Sequence, residues 1–259
     1  MAALSNTKSV FLLLIPILML HRSSDTSFNF PNFSGPYAHT LLTFQGDAFA
    51  SRGVIQPTQV LNNGTIVLHS AGRATYALPV RLWDAETGKT ASFTTTFTFQ
   101  ILNAANLGFG DGISFFIAPF HSEMPRDAVG GYLGLFSPRS ALRNTIGNAI
   151  VAVEFDMHKN EWDPPVPHIG IDVNSIASVR TVAWKNTQLG IATISATVAY
   201  DPVSQNLSAV VSNDGPSIGH VIDLTTVLPE WVSVGFSGAT GKVIELHKIL
   251  SWTFSSTFD

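Results

Sequence analysis

Residues 151–168 read VAVEFDMHKNEWDPPVPH and concentrate acidic groups in a chain that uses few charges. Only 12% of its 259 residues are Asp, Glu, Lys or Arg. Glu154 and Asp156 alternate with apolar residues, and this period of two predicts a strand with both carboxylates on one face. Three prolines between Asp163 and His168 stiffen the return of the chain. The stretch therefore predicts a strand, a stiff loop and a returning strand that bring these four side chains together.

Three interpretations of this acidic cluster are open on spacing alone. The first is a metal site, since crowded carboxylates repel unless cations lie among them. Carboxylates with the imidazole of His168 suit Mn²⁺, whereas carboxylates with the Asn160 amide oxygen and a backbone carbonyl suit Ca²⁺. Asp156 and Asp163 could bridge two such ions. One histidine without cysteine disfavours a structural zinc site.

The second interpretation is a glycosidase, which needs a pair of carboxylates at a set separation. Some β-sandwich glucanases use Glu-x-Asp-x-Glu on one strand face. Here that frame reads Glu154-Phe-Asp-Met-His158, so the third carboxylate is missing and the hydrolase is disfavoured. The third interpretation is an ordinary solvated acidic loop.

The rest of the chain is dominated by strand and turn patterns. In residues 93–99, FTTTFTF, positions 93, 95, 97 and 99 share one face and threonines occupy the other, which predicts a half-buried strand. Similar runs are separated by turn signals such as Asn63-Gly64 and Asp201-Pro202. The predicted strands are 53–60, 65–70, 93–99, 113–118, 150–156, 169–173, 191–199, 207–211, 232–236 and 250–254. Residues 224–229 could supply one helical turn. The pattern predicts a single all-β domain, a sandwich or a barrel.

The N-terminus predicts export. Lys8 precedes the apolar run 10–20, VFLLLIPILML, which is too short to span a bilayer and typical of a signal peptide. We expect residues 1–25 to be the signal peptide, with cleavage between Ser24 and Ser27, and residues 26–259 to form the domain. Localisation would be extracellular or vacuolar through the secretory pathway, without membrane insertion. The chain contains no cysteine, so a large core rather than disulfides must stabilise it.

Partners and modifications follow from charge and short motifs. The net charge of −4 and the lack of a basic cluster make nucleic acid an unexpected partner. Three sequons, at Asn32, Asn63 and Asn206, are candidate glycosylation sites. Asn63 is the strongest of them because Asn-Asn-Gly predicts an exposed turn.

On these residues the sequence resembles the legume lectins, and the resemblance covers essentially the whole mature chain. The motif at 151–176, VAVEFDMHKNEWDPPVPHIGIDVNSI, is the most specific part of it. Supporting stretches are FQGDA at 44–48, GRATYALPV at 72–80, WD at 83–84, TGKTASFTT at 87–95, GYLGLF at 131–136, LPEWVSVGFS at 228–237 and LSWTFS at 250–255. The resemblance implies a jelly-roll β-sandwich of antiparallel sheets and a non-enzymatic protein that binds glycans. It also implies that a Mn²⁺ and a Ca²⁺ support a shallow sugar site.

When residues are matched by position in the family motif, the resemblance implies a set of ligands for each ion. Mn²⁺ would be bound by Glu154, Asp156, Asp163 and His168. Ca²⁺ would be bound by Asp156, the backbone carbonyl of His158, Asn160 and Asp163. Ser178 matches the position that holds a Mn²⁺-bound water.

The resemblance also implies a carbohydrate-binding set from separated loops: Asp111, Gly131, His158, Asn160, Lys242 and Val243. Asp111 would accept hydrogen bonds from two sugar hydroxyls, after a cis peptide bond from Gly110. Gly131, Lys242 and Val243 would donate backbone N–H groups, and the Asn160 amide would donate from a side chain whose oxygen binds Ca²⁺.

Two residues depart from the family pattern. His158 stands where an aromatic ring usually stacks on the sugar, and Met157 replaces a small hydroxyl residue. They are the only support for the alternative of a sugar-inactive defence or storage relative. The short last loop, 237–247, resembles that of mannose/glucose binders. Pairing of subunits into a homodimer or homotetramer is expected from the family.

Overall fold

A computed structural model describes residues 25–102, 108–184, 192–212 and 215–258. Residues 1–24 of the predicted signal peptide lie outside the described residues, so that prediction stays a prediction. Within the described part of the chain, no helix is long and apolar enough to cross a membrane.

Strands are the main regular secondary structure of the described chain. One short helix, α1 (Pro36–Leu41), and 3₁₀ turns at Gly130–Tyr132, Ile146–Asn148 and Leu224–Thr226 interrupt them. The strands are β1 (Thr26–Phe30), β2 (Leu42–Gly46), β3 (Phe49–Ser51), β4 (Val54–Gln56), β5 (Ala71–Tyr76), β6 (Val80–Arg81), β7 (Ser92–Leu102), β8 (Gly112–Pro119), β9 (Val151–Asp156), β10 (His168–Val173), β11 (Arg180–Ala183), β12 (Ile194–Asp201), β13 (Asn206–Val211), β14 (Ser217–Val221), β15 (Trp231–Ala239) and β16 (Leu246–Thr257).

The strands form two antiparallel sheets. The first sheet has the order β14-β13-β12-β7-β16-β4-β3, with β1 added beside β16. The second has the order β11-β10-β9-β8-β15-β5-β2, with β6 beside β15. Neighbours in these orders are often distant in sequence, as in β7 with β16 and β8 with β15, which is the mark of a jelly roll rather than a meander. The prediction of an all-β sandwich is confirmed.

The core lies between the two sheets and follows the predicted alternation. In β7, Phe93, Phe97 and Phe99 are buried on one face together with Thr95. Phe97 of the first sheet meets Phe236 of the second with ring centroids 4.9 Å apart, in an edge-to-face arrangement. Burial of these aromatic faces is the main force that holds the sheets together.

A second, smaller apolar cluster covers the opposite face of the second sheet. Phe115 of β8 faces the main core, whereas the next residue, Phe116, packs in this outer cluster with Leu135, Phe136 and Ile176. Both faces of β8 are therefore buried, which explains why residues 113–118 are apolar apart from Ser114 and do not alternate strictly. The loops packed against this face bring candidate site residues over the sheet.

Two predicted strands are shorter than expected or absent. The run 53–60 forms only β4, because Pro57 has no N–H to continue a ladder. The run 65–70 forms no named strand and contributes one isolated bridge, between Val60 and Ile66. The predicted helical turn at 224–229 is confirmed as the 3₁₀ turn Leu224–Thr226, with the Asp223 carboxylate accepting a hydrogen bond from Thr225 N–H.

Candidate functional site

Adjacent strands bring the predicted metal ligands together. β9 lies between β8 and β10, and its Asp156 is in register with His168 on β10. Ligand atoms of Glu154, Asp156 and His168 lie within 4.8 Å of one another, and all three residues are buried. The Nε2 atom of His168 is 3.1 Å from Oε1 of Glu154. These three groups form a preassembled set of one imidazole and two carboxylates.

The loop between β9 and β10 folds back through its own side chains. Asp156 Oδ1 accepts a 2.7 Å hydrogen bond from the N–H of His158, and Asp163 Oδ2 accepts one of 2.7 Å from the N–H of Asn160. These bonds turn the loop tightly at 157–163. Asp163 is not one of the three residues whose ligand atoms lie within 4.8 Å of one another, although the charges of Glu154 and His168 act on it.

The protein alone disfavours ionisation of these carboxylates. Burial, then the charges of Glu154 and Asp163, raises the pKa of Asp156 well above its usual value. Burial raises the pKa of Asp163 to about 6, although the hydrogen bond from Asn160 opposes the shift. A bound divalent cation would reverse this preference, because its charge stabilises the carboxylate form.

Buried polar atoms without a hydrogen-bond partner indicate whether the predicted ligand residues suit a metal ion. Glu154 Oε2 and Asn160 Oδ1 are buried side-chain atoms without a hydrogen-bond partner. Buried polar atoms are normally satisfied, and a bound ion is one of the groups that can satisfy such an exception. Two carboxylates with an imidazole, beside further carboxylate and amide oxygens, match the preferences of a transition ion next to Ca²⁺. The residues present therefore fit the two implied ions.

Sequence analysis missed Asp172, a fully buried carboxylate beside this cluster. Ser178 Oγ lies 2.7 Å from Asp172 Oδ1 and 2.6 Å from Glu154 Oε1. Burial, followed by the charge of Glu154, raises the pKa of Asp172 well above its usual value. The Ser178 hydroxyl is the donor within reach of both carboxylates, so it links Asp172 to Glu154. The signal was available in the period of two, since 168, 170 and 172 share one face of β10.

Asp111 lies at the start of β8, beside the end of β9. The peptide bond from Gly110 to Asp111 is cis, as the family resemblance implies. The N–H of Asp111 donates to Ala239 O over 3.1 Å, and its carbonyl accepts from Met157 N–H over 2.9 Å. Its Oδ2 atom is buried without a hydrogen-bond partner. Burial, then the charges of Glu245 and Asp163, raises the pKa of Asp111 to about 7.

The loop at 130–131 and the loop at 240–243 approach Asp111 and Asn160 closely through their backbones. Gly131 has no room for a Cβ atom, which would overlap the carboxamide of Asn160. A Cβ at Gly241 would lie 2.7 Å from Asp111 Oδ2. The N–H of Gly130 donates to Thr240 O over 3.0 Å and ties the two loops together. Glycine at these positions therefore permits the approach of four separate loops.

His158 and Val243 meet over Gly110. A Cβ at Gly110 would overlap Cγ2 of Val243 and lie 2.8 Å from Cβ of His158. The His158 side chain is half-buried, and Lys242 is exposed beside Val243. Thus all six predicted sugar-contact positions lie on loops that converge near Asp111.

The departure at Met157 has a structural explanation. Its side chain is buried and packs in the main core. Its N–H group donates to Asp111, so its backbone supports the site while its side chain points inward.

The sequons differ in their surroundings. Asn32 and Asn63 are exposed and each accepts a hydrogen bond from the backbone two residues later, whereas Asn206 is half-buried at the start of β13. All three remain candidate sites.

Comparison with known proteins gives the same family across the chain. The family model for the legume lectin domain matches residues 25–259. The chain is 49% identical to Lectin 7 of Medicago truncatula, with 98% of each chain covered. It is 42% identical to the mannose/glucose-specific lectin of Centrolobium tomentosum, covering 91% of this chain and 97% of that protein. The lectin from Bauhinia forficata, solved in complex with GalNAc, has a TM-score of 0.81 and 41% identity, with 90% and 99% coverage.

Two antiparallel sheets joined as a jelly roll, with a carboxylate-rich site on converging loops, define a lectin-type sandwich. The chain belongs to the legume lectin family. This is a family of carbohydrate-binding proteins and not of enzymes, and it binds metal ions. The glycosidase interpretation of the acidic cluster is therefore set aside.

Proposed function

We propose that this protein binds glycans at the junction of its four converging loops, with Ca²⁺ and Mn²⁺ supporting the site. The observation that carries the proposal is the Asn160 carboxamide. Its side chain packs directly on Gly131, its Oδ1 atom is buried without a hydrogen-bond partner, and its backbone N–H donates to the Asp163 carboxylate. An oxygen held toward a cation leaves the amide N–H₂ group to donate to a sugar.

Each metal-site residue has a proposed role. Glu154, Asp156, Asp163 and His168 would hold Mn²⁺, and Asp156, Asp163, Asn160 and the His158 carbonyl would hold Ca²⁺. When bound, the ions neutralise the crowded carboxylates. Asp172 orients Glu154 through Ser178, in the way that outer groups commonly fix metal ligands.

The sugar would be recognised mainly by hydrogen bonds. Asp111 accepts from two hydroxyls, and charged acceptors make the stronger hydrogen bonds. The Asn160 amide and the N–H groups of Gly131, Lys242 and Val243 donate, while the His158 ring covers an apolar face of the sugar. Such a site exchanges water contacts for protein contacts, so we expect weak affinity for a single sugar.

The proposed preference is for mannose or glucose, because the last loop is short. The Centrolobium tomentosum relative is a mannose/glucose-specific lectin, whereas the Bauhinia forficata structure contains GalNAc. A homodimer or homotetramer would compensate for weak single sites by presenting several at once. We also propose that the protein enters the secretory pathway and reaches the cell exterior or the vacuole.

A glycan array tests the function directly. The recombinant mature chain is applied in Ca²⁺/Mn²⁺ buffer, with chelator, and with chelator followed by restored ions. We expect binding to mannose- or glucose-terminated glycans that is lost on chelation and recovered on restoration. Absence of binding to any glycan in the metal buffer would contradict the function, and binding that survives chelation would contradict the metal support.

A further inference from the structure

Arg73 on β5 is a buried cation held only by neutral groups. Its side chain is 1% exposed. Its Nε atom donates to Gly134 O over 2.7 Å, and Nη2 donates to Leu135 O over 3.0 Å. Its Cζ atom lies 4.9 Å from the ring centroid of Phe116. These contacts fix the guanidinium but supply no counter-charge.

The charge of Arg73 is not neutralised by the described residues. Burial lowers the pKa of Arg73 to about 10, so the group remains protonated at neutral pH. In the described ranges the arginine ion pairs join Arg81 to Asp84 and Glu230 and do not include Arg73. A buried unpaired charge carries a desolvation penalty of several kcal/mol. The Nη1 group is the guanidinium nitrogen for which these ranges give no acceptor.

A cleft of about 260 Å³ opens onto this guanidinium. Its lining is mixed: Pro119, Pro125, Leu135, Phe136 and Ile150 are apolar, whereas Ser122, Glu123, Ser140 and Asn148 are polar. Its size is close to the lower end of small-molecule pockets. The cleft therefore combines apolar and polar surface with one buried cation, Arg73.

Hydrogen bonds within the protein fix one wall of the cleft. Asn148 lines it, and its Nδ2 atom lies 2.7 Å from Ser140 O and 2.9 Å from Asn174 O. The Arg73 contacts to Gly134 and Leu135 hold a second wall. The lining includes none of the proposed sugar-contact or metal residues, so this is a separate place on the molecule.

We propose that this cleft binds a small amphipathic carboxylate, whose anionic end pairs with Arg73 Nη1 and whose apolar body packs on Leu135 and Phe136. A carboxylate supplies the missing counter-charge and a charge-assisted hydrogen bond. The apolar part of the lining would contact an apolar body, a gain in burial that a simple inorganic anion cannot make.

A matched pair of probes tests the charge requirement. Binding of 3-phenylpropionate and of its neutral amide is measured by calorimetry and saturation-transfer NMR on the full metal-loaded protein. We expect the carboxylate to bind at least about tenfold more tightly, the equivalent of one charge-assisted hydrogen bond. Equal affinities, or no detectable binding of either probe, would overturn the proposal.

Variants locate the binding without disturbing Arg73, whose removal also breaks two hydrogen bonds to carbonyls and endangers folding. Ser122→Trp places a large ring in the cleft and should abolish 3-phenylpropionate binding. Glu123→Gln removes an exposed negative charge from the lining and should tighten it about twofold or more. Glu86→Gln, an exposed change outside this lining, should leave affinity unchanged.

Unchanged affinity in Ser122→Trp, or unchanged or weaker affinity in Glu123→Gln, would place the ligand elsewhere and refute the assignment. Binding of 3-phenylpropionate in the presence of saturating mannoside is measured alongside. Persistence of binding there supports a separate cleft, and competition would refute it. Because the probe readout does not require sugar binding, failure of the lectin function and failure of this inference remain distinguishable.

Discussion

At Asp111, a buried carboxylate oxygen faces the converging loops without a partner from the protein. Its backbone is fixed on both sides, by Ala239 and by Met157, so the carboxylate is held in place before any ligand arrives. Such preorganisation lowers the cost of binding. Substitution of this side chain is therefore the most direct test of the proposed sugar site.

Substituting Asp111→Asn should abolish measurable sugar binding while leaving the fold intact. Two hydrogen bonds to a charged acceptor are lost, each worth about 2 kcal/mol, which together correspond to a fall of roughly 1,000-fold in affinity. Calorimetry with a bound glycan from the array measures the loss, and circular dichroism checks the fold. Asp201→Asn, at the distant β12–β13 turn, is the matched control and should bind as the parent does; retained affinity in Asp111→Asn would show that the sugar binds elsewhere.

At the level of elements, β8, β9 and β10 act as one unit. Their register places Gly112 and His168 on either side of Asp156, and Ser114 and Gly170 on either side of Glu154. Gly170 leaves the space that Glu154 and Ser178 occupy, since a Cβ there would overlap both side chains. The strand pairing therefore decides whether Glu154 can reach the imidazole.

Gly170→Ala should weaken Mn²⁺ binding by at least about tenfold, because the added methyl group displaces Glu154 and its hydroxyl partner Ser178. Titration of the metal-free protein with Mn²⁺, followed by the paramagnetic resonance of the free ion, measures the change. Gly147→Ala is a matched control, since its Cβ would meet only Thr145 Oγ1 at 3.8 Å. Equal Mn²⁺ affinity in the two variants would count against the role of Gly170.

Element patterns were largely readable from the sequence, and the exceptions have local causes. The alternation in β7 and the apolar run of β8 gave their strands directly. Residues 65–70 have the composition of a strand but make only an isolated bridge, because pairing depends on a neighbour in the right register. Asp172 lies in a predicted strand, yet its place in the site depends on Ser178 from a later turn.

For the molecule as a whole, the two sheets supply stability that disulfides would otherwise provide. Val234 of β15 is 1% exposed between the sheets, whereas Val203 in the β12–β13 turn is 93% exposed. The same truncation at these two positions thus separates core packing from surface effects.

Val234→Ala should lower the free energy of unfolding by about 2 kcal/mol, through lost burial and an unfilled cavity. Val203→Ala should change it by less than about 0.5 kcal/mol. Chemical denaturation of both variants in the same metal buffer measures the difference. Similar losses in the two variants would show that the sandwich core does not dominate stability.

Stability of the metal-stripped protein should fall as pH rises from about 4 to 7. The pKa values of Asp111 and Asp163 are raised on folding, to about 7 and about 6, from unfolded values near 3.9. Between these limits the folded state binds more protons than the unfolded state, so raising the pH removes stability. Added Ca²⁺ and Mn²⁺ should restore stability most strongly at the high-pH end, since they bind ionised ligands.

Thermal unfolding of stripped and metal-loaded protein at pH 5 and pH 8 measures this linkage. In the stripped protein, Asp111→Asn should flatten the dependence because it removes one of the titrating groups. A stripped protein that is more stable at pH 8 than at pH 5 would contradict the assignment.

The sequence by itself determined the strand content, the sandwich class and the legume lectin family, because a period of two and a dense motif at 151–176 are local properties of the chain. It also placed Glu154 and Asp156 on one strand face. The tertiary structure decided which distant residues contact one another. It packs Gly131 against Asn160 and Gly241 against Asp111, and it links Asp172 to Glu154 through Ser178. These contacts join loops far apart in sequence, and close approach depends on the packing of both sheets rather than on any local pattern. The uncompensated charge of Arg73 belongs to the same category, since a buried cation becomes visible only when its neighbours are known.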